Sequence, residues 1–295
     1  MGTNQKVPTG IANLNVVKGD VAEKITLVDN KNFFVPKRFT AKSINFTTQP
    51  KQGVSRGNNN HWTTIALPFE VTSVKNTTDN EVIDWFHSDT DTGKNFWIRK
   101  FDRLDTSDNT VIFENAPEML AYEPYIMNVP DDYWGKKWDL RNKNITFYGE
   151  NAVLHNEANI GTNSSYYNFV GTTMTKNIGN GWLLNDAGDT FKYYISGTKG
   201  ETKTVLPFHA YFMLTSDFYD GSANSAKASL RIKFDGDEDS TTGIMAPFAA
   251  DEKVVDVYNI NGVKVASKNL KNGSVDMSDL PKGIYVVNGK KFIQY

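Results

Sequence analysis

Apolar residues in this chain recur at every second position far more often than at every third or fourth. The clearest run is Ala228, Leu230, Ile232 and Phe234, which alternate with Lys227, Ser229, Arg231, Lys233 and Asp235. Successive side chains of a strand point to opposite faces, so this run predicts a half-buried strand with one apolar and one charged face. Phe39 and Ala41 begin one register, and Ile44 with Phe46 continue on the opposite parity. Such a switch predicts a β-bulge between them. Further strands are predicted over 22–28, 62–67, 96–101, 110–113, 125–129, 144–148, 166–170, 191–195 and 205–214, where Thr, Val, Tyr and Phe dominate. The intervals are rich in Asn, Gly, Asp and Ser, the residues of tight turns. Only 81–87 and 131–138 have the pattern of a helical turn or two. Many short strands with turn signals between them predict an all-β fold, a β-sandwich or jelly-roll-like body.

A boundary is visible where the polar, acidic run Gly236-Asp237-Glu238-Asp239-Ser240-Thr241-Thr242-Gly243 interrupts the pattern. We therefore expect a β-sandwich body over 1–236, an acidic linker over 237–243 and a small C-terminal β-sandwich-like module over 244–295. In that module Asn261-Gly262 and Asn288-Gly289 each stand between two strand-like runs, the signature of a two-residue hairpin turn. Within the body, 121–127 and 206–214 both set an aromatic-aliphatic strand after a proline, a faint echo that suggests two related halves.

Composition narrows the chemistry. Lys+Arg 32 against Asp+Glu 34 leaves a net charge of -2, which gives no general attraction to nucleic acid or anionic lipid. The longest mostly apolar run, 205–214, is about half of what a spanning helix needs and holds Pro207 and His209, so no transmembrane segment is expected. The absence of cysteine removes disulfides, thiolate metal sites and cysteine nucleophiles together. His61, His87, His155 and His209 are scattered without zinc-type spacing, and the nucleophile-elbow, phosphate-loop and dinucleotide motifs are missing. The run Asp235-Gly236-Asp237-Glu238-Asp239 spaces its acids like a calcium loop, but Ser240 stands where that loop needs glycine and Ala246 where it needs glutamate. We expect no cofactor, no metal and no catalysis, although a pair of glycosidase-type carboxylates meets in space and is not read from sequence.

The best binding candidates are Tyr133, Trp134 and Trp138, which lie among Asp131, Asp132, Lys136, Lys137 and Asp139. Loop-borne aromatics flanked by polar side chains can stack on sugar rings while their neighbours hydrogen-bond the hydroxyls. The alternative is that Trp134 and Trp138, four residues apart, plug the end of the sandwich from one side of a short helix. Trp62, Trp85, Trp97 and Trp182 fall in or beside strand-like runs and are assigned to the core.

The segments 62–69, 121–126, 168–172 and 206–212 occur in an order that resembles the C-terminal β-rich region of large secreted or surface proteins of Bacteroidetes. The tail is the more specific part: Val257-Tyr258-Asn259-Ile260-Asn261-Gly262 with Leu280-Pro281-Lys282-Gly283-Ile284-Tyr285-Val286-Val287 resembles the short C-terminal sorting domains of that phylum. In the type IX secretion form such domains direct export and surface attachment. The resemblance implies an extracellular or cell-surface location, reached with a signal peptide that this sequence does not contain. It implies no catalytic residues. Asp239-Ser240-Thr241 also resembles the O-glycosylation sequon of exported proteins in that phylum, which marks Ser240 as an acceptor candidate. The expected role is adhesion, by recognition of a glycan or surface protein. The alternatives are a structural spacer that displays an upstream domain and a carbohydrate-active enzyme.

Overall fold

The structure, a computed structural model, describes residues 17–55, 58–105, 107–156, 160–163, 167–178, 180–195, 203–214, 229–235, 253–259, 262–271, 274–275, 277, 279–287 and 290–294. The chain divides into two compact units, Met1–Ala246 and Pro247–Tyr295. The acidic linker, and Ser240 with it, lies outside the described residues.

The first unit carries β1 (Val21–Val28), β2 (Phe39–Thr48), β3 (Thr63–Ala66), β4 (Ser73–Asn76), β5 (Glu81–Ile83), β6 (Trp85–Phe86), β7 (Phe96–Asp105), β8 (Thr110–Asn115) and β9 (Pro124–Asn128). It continues with β10 (Ile145–Leu154), β11 (Ile160–Asn163), β12 (Tyr167–Gly171), β13 (Lys176–Ile178), β14 (Asn180–Leu184), β15 (Thr190–Ile195), β16 (Lys203–Val205), β17 (Ala210–Leu214) and β18 (Leu230–Phe234). The fold is all-β, with a single 3-10 turn at Asp132–Trp134 among the described residues. No helix among them is long and apolar enough to cross a membrane.

A five-stranded sheet runs β1-β2-β10-β4-β5, and an eleven-stranded sheet runs β11-β12-β17-β14-β15-β18-β8-β7-β9-β3 with β6 beside β7. The first sheet packs on one face of the second: Ile44, Phe46 and Phe147 share a core with Phe96, Ile98, Tyr125 and Met127. The opposite face meets a cluster of phenylalanines. Phe101 lies 5.0 Å from Phe212, and Phe113 lies 5.7 Å from Phe169, ring centre to ring centre. These rings come from strands far apart in the sheet order, so the large sheet curls back over itself. Its last strand, β3, reaches the turn before β17, where Ala66 N–H donates to the Phe208 carbonyl at 2.8 Å. Strand β9 and residues 96–98 at the start of β7 are thus covered on both faces, which is why they read as apolar runs and not as alternation.

The parity switch in β2 is present: Phe39 and Ala41 are buried, then Ile44 and Phe46. It is not a bulge, however. Ala41 lies opposite Ala22 and Ala152, and Ser43 lies opposite Lys24 and Glu150, so no residue is left over on either side of Lys42. All three strands change face together. Asn151, which the same count sets against Lys42, takes φ 50, and Glu23 on the other side holds Lys42 in an ion pair of 2.7 Å. Two other expectations are corrected. Residues 81–87 form β5 and β6, because β4 and β7 offer edges to pair with. The run 205–214 is broken, since Pro207 and Phe208 turn the chain between β16 and β17 and Phe208 takes φ 68.

The C-terminal unit is one antiparallel sheet, ordered β21 (Ser274–Val275), β20 (Lys264–Lys271), β19 (Lys253–Asn259), β22 (Gly283–Val287) and β23 (Lys290–Gln294). Val257, Met277, Tyr285 and Val287 form its core, with Ala266 and Leu280 packed against them. Tyr285 donates its hydroxyl to the Pro281 carbonyl at 2.6 Å, which ties the entry of β22 to its own strand. Gly262 adopts φ 74 between β19 and β20, but Asn259 N–H donates to the Val263 carbonyl at 2.9 Å, so the loop holds three residues, 260–262, and not the two that the Asn-Gly signal predicts. Asn288 and Gly289 lie outside the described residues.

Candidate functional site

The three aromatic candidates separate. Asp131 caps the 3-10 turn through its carboxylate, which accepts from Tyr133 N–H at 3.0 Å. That turn drives Trp134 inward, where it is only 8% exposed. Its indole donates to the Val54 carbonyl at 2.7 Å, and its ring sits 5.8 Å from Trp97. Trp134 is therefore corrected from a candidate ligand contact to a core residue, since a stacking face needs access. Tyr133 is 66% exposed. Trp138 is half-buried, with the Lys137 ammonium 5.1 Å from its ring. The pair stays at the surface. Trp62, Trp85, Trp97 and Trp182 are all buried, as their strand positions predict.

A concavity lies elsewhere in the body. A cleft of about 550 Å³ opens where the β1–β2 turn, the end of β2, the entry to β3, the end of β14 and the turn before β17 meet. Asp29, His61 and His209 reach it from three distant parts of the chain. Thr48 donates its hydroxyl to Asp29 Oδ2 at 2.7 Å, and His209 Nε2 stands 3.6 Å from Asp29 Oδ1. On the other side of the imidazole, Nδ1 is 3.3 Å from Thr64 Oγ1, and the same Oγ1 accepts Ala210 N–H at 2.9 Å.

This cleft concentrates backbone strain. Asn30, His61 and Phe208 all have φ between 60 and 68, and all three line it. A residue with a side chain is uncommon in that region, and a bulky one is held there only when its surroundings dictate it. For His61 the surroundings are the β14–β15 turn: His61 N–H donates to the Ala187 carbonyl at 2.7 Å and Trp62 N–H to the Gly188 carbonyl at 3.1 Å. Gly188, itself at φ 66, leaves no room for a Cβ against the Trp62 backbone. The cleft also concentrates unpaired polar atoms. Asp29 Oδ1 and His61 Nδ1 are buried and have no hydrogen-bond partner, a costly arrangement that a ligand or an ordered water relieves.

The other histidines are occupied structurally. His87 bonds the Pro117 carbonyl at 2.7 Å and Asp84 at 3.1 Å, and His155 packs 4.4 Å from the Tyr122 ring. No group of three or more metal-ligating side chains gathers among the described residues. Nothing in the sequence flagged Asp29, and His209 was visible only as one of four scattered histidines. Their meeting depends on the pairing of β1 with β2 and on the turn that breaks 205–214.

No curated protein and no solved structure matches the chain. The family of secretion system C-terminal sorting domains matches residues 224–292, which takes in the C-terminal unit and reaches back through β18. A tail of this kind is typical of Bacteroidetes secreted proteins, and it marks the chain as a secreted or cell-surface protein with a sorting domain at its C-terminal end.

Proposed function

We propose that the body is the recognition part of this secreted protein, binding a glycan or a protein ligand at its surface without transforming it, while the tail serves export through the type IX route. The observation that carries the reading is the cleft of about 550 Å³, whose wall combines three positive-φ side-chain-bearing residues with two unpaired buried polar atoms. Its volume falls in the range of about 300–1,000 Å³ usual for small-ligand sites. Strands on both sides fix the wall, so a ligand meets a largely preformed surface. The lack of any nucleophile or acid–base motif in the sequence supports binding over catalysis.

The test is a glycan-array screen of the full chain beside a pull-down from host and bacterial surface extracts. Saturable binding by either route, competed by soluble ligand, is the expected result. Silence in both transfers the body to the role of a spacer. Turnover of an array glycan, detected as released sugar, overturns the non-catalytic reading.

A further inference from the structure

The recognition reading leaves the ligand open, and the Asp29–His209 pair narrows it; the argument here rests on that reading. We infer that the cleft takes an uncharged, polyhydroxylated ligand such as a neutral sugar residue, with one ligand hydroxyl bridging His209 Nε2 and the Asp29 carboxylate.

The hydrogen-bond pattern fixes the chemistry of the pair. Thr64 Oγ1 already accepts the Ala210 amide, so its own proton is free for His209 Nδ1 at 3.3 Å. That assigns the neutral imidazole as the tautomer with its proton on Nε2, an inference from the network and not an observed hydrogen. Nε2–H then faces Asp29 Oδ1 at 3.6 Å, beyond an ordinary hydrogen bond, and Oδ1 has no other partner. The wall thus offers a donor and a carboxylate acceptor side by side. A hydroxyl accepts from the first and donates to the second at once. An ammonium only donates, so it leaves Nε2–H unmatched. A carboxylate or phosphate only accepts, and it meets the Asp29 charge directly.

The remaining wall agrees. Its fixed charges are Asp29, Asp186 and Lys51, and the Lys51 ammonium is already bonded to Gln49 Oε1. No surplus of positive charge therefore compensates an anionic sugar.

The experiment is a calorimetric titration of the full chain with methyl glycosides of galactose, glucose, mannose and fucose, alongside glucuronate and glucosamine. The expected result is saturable binding of at least one neutral glycoside, with its glucuronate and glucosamine counterparts at least tenfold weaker. Asp29→Asn and His209→Gln each weaken that binding at least tenfold, whereas the Tyr133→Ala, Trp138→Ala double variant leaves it unchanged. Should either cleft variant fold poorly, the wild-type histidine side-chain NMR signals provide the readout, with those of His61 and His209 moving on titration. A preference for glucuronate or glucosamine overturns the inference. So does neutral-sugar binding that survives both cleft variants and is lost in the surface double variant, which leaves the broader recognition reading standing. Absence of binding to every sugar, with a protein captured in the pull-down, likewise removes this inference alone.

Discussion

Trp134 illustrates what a single residue's sequence context conveys and what it hides. Flanked by Asp132, Gly135, Lys136 and Lys137, it has the local setting of an exposed ring. Its burial is set by Val54, eighty positions away, whose carbonyl accepts the indole N–H, and by Trp97 beneath it. Trp134→Ala removes a large buried side chain and leaves that carbonyl unpaired, so we expect a loss of about 3–5 kcal/mol in urea unfolding. Tyr133→Ala, one residue away but exposed, is expected to change stability by less than about 0.5 kcal/mol. Equal effects of the two would show that the 3-10 turn does not orient them as described. Gly188 is the opposite case, because no neighbour in sequence announces its importance. Its φ of 66 and the Trp62 backbone packed against it both exclude a side chain. Gly188→Ala should cost more than about 1 kcal/mol. Since the same turn holds His61, that substitution should also weaken whatever the cleft binds.

At the scale of elements, alternation was legible wherever one face of a strand meets water and illegible where both are covered. β18 shows the first case, with Leu230, Ile232 and Phe234 buried between exposed Arg231 and Lys233. β9 and residues 96–98 of β7 show the second, and there only length and composition identified a strand. The cleft was not legible at all, because it is made of turn residues brought together by pairings between distant segments. β18 also pairs in parallel with β8, and the exposed charges of this pair add a pH-dependent clasp. Lys233 bonds Asp108 at 2.7 Å, with Arg231 at 3.4 Å, and the Lys233 hydrogen bond holds the Asp108 carboxyl below its usual value of 3.8. A carboxyl whose pKa falls on folding adds stability that is fully present above its unfolded pKa and is lost as pH drops through the folded one. The clasp therefore acts at neutral pH and weakens below about pH 4. Solvent screening limits it to about 1 kcal/mol or less. Asp108→Asn should lower the stability at pH 7 by that small amount and flatten the acid limb of stability against pH; an unchanged acid limb would remove the clasp.

For the whole molecule, the family match and the fold draw different borders. The sorting-domain match begins at residue 224, whereas the chain divides into compact units after Ala246. Between these points lies β18, which pairs with β15 on one side and with β8 on the other, in the middle of the large sheet. Its Phe234 ring lies 5.0 Å from Trp62, at the root of the cleft, and 4.9 Å from the Arg99 guanidinium. A strand taken from the centre of a sheet leaves two unpaired edges and strips the apolar cover from both neighbours. In sequence, the acidic run falls after β18 and before the division into units. A chain ending at residue 246 should therefore unfold at the temperature of the body in the intact protein and keep its cleft. A chain ending at residue 223 should lose the cooperative transition and become sensitive to protease throughout. If the shorter chain instead unfolds cooperatively at the same temperature, β18 belongs functionally to the tail, and the cleft does not depend on it.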